Sequence, residues 1–224
     1  MDIDLITKVN PKKITHTIRQ DLYKLGLGDK LISKCSEFLI MQLDYIIRNN
    51  LENVSKVIHE LNNLESGNSN SSRTKPAKQF CRPPLKGLYH KHYEGTGLES
   101  LKFNINNQLI SNQKKHNTMV PEFQNWLFEY VKNNKGNKEY FDEEDCLNIS
   151  NEFAKQLIND SFNQKTRNKT ITGHWIIYAK HNNDNYYLAI SRHTKTKEDE
   201  LIIRKKIEET CIKQFPFLKN IIFG

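Results

Sequence analysis

Between Gly173 and Thr194, two runs of aromatic and β-branched residues flank the tetrad Asn182-Asn183-Asp184-Asn185. No other stretch limits the chain so strongly, because asparagine and aspartate accept the left-handed backbone of a tight hairpin turn. Strands are therefore predicted over 173–181 and 186–193. A two-residue loop at Asn183-Asp184 and a four-residue loop over Asn182–Asn185 give the same register, with His174 opposite His193. Alternation then groups His174, Ile176, Tyr178 and Lys180 with Tyr187, Ala189, Ser191 and His193. The opposite face carries Trp175, Ile177, Ala179, Leu188 and Ile190, with His181, Tyr186 and Arg192 at its ends, and is assigned to the core. The first face is too polar for ordinary core and is the expected working surface.

Ahead of the hairpin, Asn10-Pro11 reads as a helix cap followed by proline in the first turn, with Ile14, Ile18 and Leu22 at helical spacing before Gly26 and Gly28. A longer helix is expected from Asp29 to Asn49, and a third through Val54, Val57, Ile58, Leu61 and Leu64. Residues 1–65 thus read as a helical module, suited to a protein partner, an inhibitor, or simple packing on the rest. Residues 66–79 have the composition of a flexible linker. From Ser66 to Tyr93 there is no acidic residue, while Arg73, Lys75, Lys78, Arg82, Lys86 and Lys91 are all basic, a distribution suited to phosphate contacts.

Residues 80–224 form the second expected domain, built around the hairpin. Arg82-Pro83-Pro84 enforces an extended entry, and Leu88–Tyr93 is a predicted strand with His90 and His92 on one side and Tyr89, Lys91 and Tyr93 on the other. Gly95-Thr96-Gly97 turns the chain, Leu101–Ile105 reads as a further strand and 106–117 as a polar loop. Pro121 opens a helix that ends at Asn133–Gly136. Asp142–Asp145 opens another, as acids favoured by the helix dipole rather than as a metal site, since consecutive side chains diverge. Thr196 with Glu198-Asp199-Glu200 opens the last. The expected fold class is α+β, an N-terminal helical bundle followed by a small antiparallel sheet covered by helices.

A formal net charge of +8 favours an anionic partner, nucleic acid first. No apolar run approaches the ~20 residues needed to cross a bilayer, and Met1-Asp2-Ile3-Asp4 does not begin a signal peptide, so a cytoplasmic protein without membrane contact is expected. Cys35, Cys81, Cys146 and Cys211 are scattered without a CxxC, which predicts buried thiols rather than disulfides or a zinc finger. The chain has no P-loop, GxGxxG, GxSxG or HExxH, which argues against the chemistries those motifs serve.

Paired histidines suit general acid/base work near neutral pH. Cleaving RNA needs one group to remove the 2′-OH proton, one to protonate the leaving oxygen and a cation to steady the phosphorane. His174 and His193 are the expected pair, with His90 or His92 as alternative members. Lys180 or Lys91 would supply the cation, and Tyr178 or Ser191 would orient the phosphate. Arg82, Lys86, Lys91, Tyr187 and Arg192 are the expected nucleic-acid contacts, through charge and stacking. No metal or other cofactor is expected; the competing reading, zinc held by His90, His92, His174 and His193, lacks any spacing that forces those strands together. Basic and α+β, with histidines on an antiparallel sheet, residues Phe80–Gly224 resemble the metal-independent ribonuclease toxins of the barnase, EndoU, colicin and RelE type. The resemblance is one of architecture and residue types, and no residue role is taken from it. It implies an RNA-cutting toxin or defence effector; the alternative is a noncatalytic nucleic-acid- or protein-binding module.

Overall fold

The hairpin closes on Asn182-Asn183, one residue earlier than the expected Asn183-Asp184. Both asparagines sit in the left-handed region, with φ of 50° and 67°, the backbone of a two-residue turn whose twist matches its strands. In the computed structural model, which describes residues 4–7, 9, 16–68, 71–95, 98–134, 140–194 and 196–224, this hairpin is half of a four-stranded antiparallel sheet. The strands are β1 (Lys78–Gln79), β2 (Tyr89–Tyr93), β3 (His174–His181) and β4 (Asp184–Ser191), ordered β1-β2-β3-β4. The fold is α+β, as the patterning implied. The helix start at Asn10-Pro11, the turn at Thr96-Gly97 and the helix end at Gly136 lie outside the described residues.

Next to the turn His181 pairs with Asp184 and Tyr178 with Tyr187, but beyond a bulge Ile177 pairs with Ala189 and Trp175 with Ser191. Leu188 is the extra residue. A bulge inserts one residue into one strand only, so every β4 side chain past it changes face relative to β3. One face packs Trp175, Ile177, Ala179, Leu188 and Ala189 on Ile6, Ile203, Ile207, Leu218 and Ile222. Ile6 belongs to the short α1 (Asp4–Thr7). The other face gathers Tyr93, Ile176, Tyr178, Tyr187 and Ile190 with Leu22, Leu31, Leu39, Leu43 and Leu61. These come from α2 (His16–Lys24), α3 (Asp29–Ile32), α4 (Glu37–Arg48) and α5 (Val54–Ser66). Helices thus cover both faces, and the expected wet working surface is mostly core.

The helix expected over Asp29–Asn49 is interrupted at Ser33–Ser36. There Ser36 N donates to Tyr187 O (2.8 Å) and Tyr187 N to Lys34 O (2.9 Å). The terminal strand β4 would otherwise leave these backbone groups unpaired. Ser36 Oγ then caps α4 at Leu39 N (2.9 Å) and donates to Leu188 O (2.5 Å).

The chain also groups differently from the expected 1–65, 66–79 and 80–224. One unit is Met1–Thr96 with Thr172–Gly224, and the other is Gly97–Ile171. The segment read as linker contains buried Ser72 and Thr74 and strand β1. The second unit holds α6 (Leu98–His116), α7 (Pro121–Asn134) and α8 (Glu143–Arg167), and the chain returns to the first unit for the hairpin, α9 (Lys197–Cys211) and α10 (Leu218–Phe223). The expected strand 101–105 and loop 106–117 are therefore one helix: Leu101, Phe103 and Ile105 alternate like a strand, a signal that short apolar runs share with helices. The acids of 142–145 do start a helix, with a reciprocal capping box between Asp142 and Asp145. The same box joins Thr196 and Asp199 at α9. Cys35 and Cys211 are buried, but Cys81 and Cys146 are exposed. Among the described residues no helix is long and apolar enough to cross a membrane.

Candidate functional site

Register and bulge together decide which polar side chains meet. On β2, His90 pairs with Ile177 and His92 with Trp175; Lys78 of β1 pairs with His90; Ser191 of β4 pairs with Trp175. Paired residues share a face, so Lys78, His90, His92, Trp175, Ser191 and His193 belong to one side, at the end of the sheet where β3 begins. Their rings touch. His90 and His92 lie 5.4 Å apart between centroids, His92 and His193 5.8 Å, and Trp175 and His193 4.6 Å. Phe80 closes the cluster at 4.4 Å from His90 and 5.2 Å from Trp175.

Each imidazole is held differently. His92 is buried, with Nδ1 3.0 Å from Gly173 O and 3.3 Å from Gly173 N, so glycine backbone holds the ring in either tautomer. Only glycine fits there, because a Cβ on residue 173 would stand 1.7 Å from Tyr93 O. His193 is exposed; its Nδ1 donates to Thr194 O at 2.9 Å, which leaves the lone pair of the neutral ring on Nε2. His90 is half-buried, and its Nδ1, like Trp175 Nε1, is buried without a hydrogen-bond partner. Orphaned polar atoms of this kind cost about 1–3 kcal/mol each, and two share this cluster.

Burial pushes the His90 imidazole down to about 4, helped by the charges of His193, Lys78 and Lys75. Burial likewise takes His92 down to about 3, against the Gly173 contact that favours its charged form. His193 is lowered too, first by desolvation where its ring packs on Trp175 and His92, although the residue as a whole is exposed; Thr194 O and Glu200 oppose this. All three rings are neutral at pH 7.

His174 stands on the opposite face from His193, which corrects the expected pair. Its Nε2 lies 2.9 Å from Glu52 Oε1, and Tyr93 donates to Glu52 Oε2 at 3.0 Å. Tyr178 is core, stacked on Tyr89, and Tyr187 is core with its hydroxyl donating to Glu65 (3.2 Å), so neither is open to a ligand. Lys91 is no surface cation: it is buried and bonded to Ser72 Oγ (2.8 Å), Thr74 Oγ1 and Lys75 O (2.9 Å), with Glu60 Oε2 3.3 Å away. Lys180 is exposed over the Tyr89 ring at 4.9 Å, on the His174 side by alternation. Arg192, half-buried, follows the same alternation to the His174 side. Ser191 is buried on the face of the histidine cluster and donates to Arg192 O (3.0 Å). Arg82 and Lys86 are exposed in the loop between β1 and β2. Sequence reasoning placed Lys75 and Lys78 in the basic stretch suited to phosphate contacts but not among the site residues, and read Trp175 as core alone. The proximity of Lys78 to Phe80 and to the histidine strand was the available signal.

Among the described residues no three His, Cys, Asp or Glu side chains are arranged to hold a metal ion. Comparison of the chain with protein-family models, with curated proteins and with solved structures finds no match.

Proposed function

We propose that this chain binds RNA along its basic β1 edge and cleaves it at the histidine cluster. The observation that carries the reading is the convergence of three imidazoles with Lys78 on one end of the sheet. Lys75 and Lys78 hold the phosphate, and His193 Nε2 takes the 2′-OH proton. The 2′ oxygen attacks phosphorus, and His90 in its protonated form gives its proton to the leaving 5′ oxygen, yielding a 2′,3′-cyclic phosphate and a 5′-OH end. Phe80 offers a ring for a base. His92, locked on Gly173, is a positioning residue for its neighbours.

A second reading, binding without turnover, is favoured by one observation: with His90 lowered to about 4, little imidazolium exists at neutral pH to act as acid. Incubation of labelled RNA in EDTA separates the two. Cleavage that rises as pH falls from 7 towards 5, is lost in His193→Ala and His90→Ala, and survives in His174→Ala supports the enzyme. Binding without cleavage at any of these pH values leaves only the module.

A further inference from the structure

A cavity of about 400 Å³ lies in the same unit as the sheet, lined by Lys56 and His59 of α5, Arg73, Thr74 and Glu94. Its charges are not balanced evenly. Lys56 pairs with Glu94 at 3.0 Å. Glu60, also on the lining, faces Lys91 at 3.3 Å, and both side chains of that pair are nearly inaccessible. Lys56 with Glu94 and Glu60 with the buried Lys91 behind it are two neutral pairs, which leaves one lining cation unpaired. That cation is Arg73, which among the described residues has no ion pair, beside His59, which has none either. The N–H groups of the first α5 turn are already used, Ser55 N donating to Asn53 Oδ1 (3.0 Å) and Lys56 N to Asn53 O (3.1 Å), so the cavity's pull on an anion comes from side chains.

We infer that this cavity binds a phosphate group, with the Arg73 guanidinium as the anchoring fork and His59 as a second donor. Guanidinium is suited to this by geometry, since its parallel N–H groups match two oxygens of a tetrahedral anion. The buried Lys91 behind Glu60 and Thr74 neutralises Glu60, so that carboxylate does not oppose the anion. Lys91 is well connected to the cavity wall, because its ammonium also donates to Thr74 Oγ1. A monophosphate is the size class, since the cavity falls at the small end of ligand sites, roughly 300–1,000 Å³. This site is separate from the histidine cluster and does not depend on its being catalytic.

The test is isothermal titration calorimetry of the full chain with inorganic phosphate and with phenyl phosphate, acetate serving as the carboxylate comparison. Saturable phosphate binding is expected, with acetate failing to compete. Arg73→Gln should weaken it by about tenfold or more, the size of a lost bidentate charge-assisted contact, and Arg73→Lys by less. Both variants change an exposed side chain and should keep the wild-type far-UV spectrum. Lys78→Gln, which removes a phosphate contact of the proposed RNA site, should leave the affinity as it is in the wild type, which separates the two sites. The inference is overturned by absence of saturable binding at millimolar phosphate, by equal binding of acetate, or by an Arg73→Gln affinity no lower than that of Arg82→Gln.

Discussion

The two faces of the central sheet carry the same side chain in opposite surroundings. On the side of α2 to α5, His174 is matched to a carboxylate, Glu52, 2.9 Å away, which is itself bonded by Tyr93. On the other side His90, His92 and His193 pack against one another and on Trp175, with lysines for neighbours. An imidazole held by a buried carboxylate is a structural strut, whereas three that repel each other's charged forms make a site whose protonation a bound anion would alter. The bulge at Leu188 makes the difference, because unbroken alternation along β4 would put His193 on the face of His174.

The largest effect should come from breaking the polar network on the His174 side. Replacing Lys91 by methionine strands Glu60, and losing one partner of a buried ion pair costs about 3–5 kcal/mol. Urea denaturation should show a loss of this size, and adding Glu60→Leu should restore part of it. If Lys91→Met proves neutral, the buried pair contributes nothing and that face is held by its apolar packing alone.

Next in size is Gly173→Ala. Its Cβ would meet Tyr93 O at 1.7 Å and Tyr93 C at 2.7 Å, backbone atoms that cannot swing aside, so β2 and β3 must separate. A loss of roughly 1–3 kcal/mol, the usual range for overpacking, is expected. The His92 ring should be released with it, visible as a changed histidine Nδ1 shift in NMR. An unchanged shift would mean that Gly173 does not hold His92.

How far the sequence could have anticipated this contrast depends on the kind of signal. The hairpin, the β2 strand with His90 and His92 on one side, and the capped starts of α8 and α9 were legible, because turn chemistry, alternation and capping are local. The bulge was not: Leu188 and Ala189 pointing the same way leave no trace in composition, yet they move Ser191, Arg192 and His193 to new faces. Lys91 read as a surface cation because its neutralisation by Glu60 spans 31 residues of chain, and nothing near Lys91 announces it. Ser66–Gln79 read as linker for the same reason, since the burial of Ser72 and Thr74 comes from partners elsewhere. Long-range pairing and single-residue irregularity were the two things that periodicity did not carry.

Acidification should reveal the histidine row more gently. His90 and His92 have folded-state values of about 4 and about 3, below the ordinary 6.5, so the unfolded chain takes up protons first. Stability is then full above pH about 6.5 and declines as pH falls towards about 4 for His90 and about 3 for His92. Denaturation midpoints measured from pH 7 to 4 should fall for the wild type and fall less steeply for His92→Gln. An equally steep fall in that variant would move the acid sensitivity to other groups.

The smallest effect on stability should be that of His193→Ala, and for that reason it sharpens the comparison most. His193 is exposed, and exposed substitutions usually stay within about 0.5 kcal/mol; the truncation uncovers only one side of the Trp175 ring and one side of the His92 ring. His174→Ala, by contrast, leaves the buried Glu52 carboxylate without its imidazole and should cost more, of the order of 1–3 kcal/mol for an unsatisfied buried acceptor. A histidine retained for packing would rank the other way, since its removal would be felt in the fold. If unfolding midpoints show His193→Ala to be as damaging as His174→Ala, the outward end of the row is structural and the RNA site loses its base. If His193→Ala folds as the wild type does and RNA cleavage nonetheless disappears, the two faces have divided their histidines between holding the molecule together and acting on a substrate.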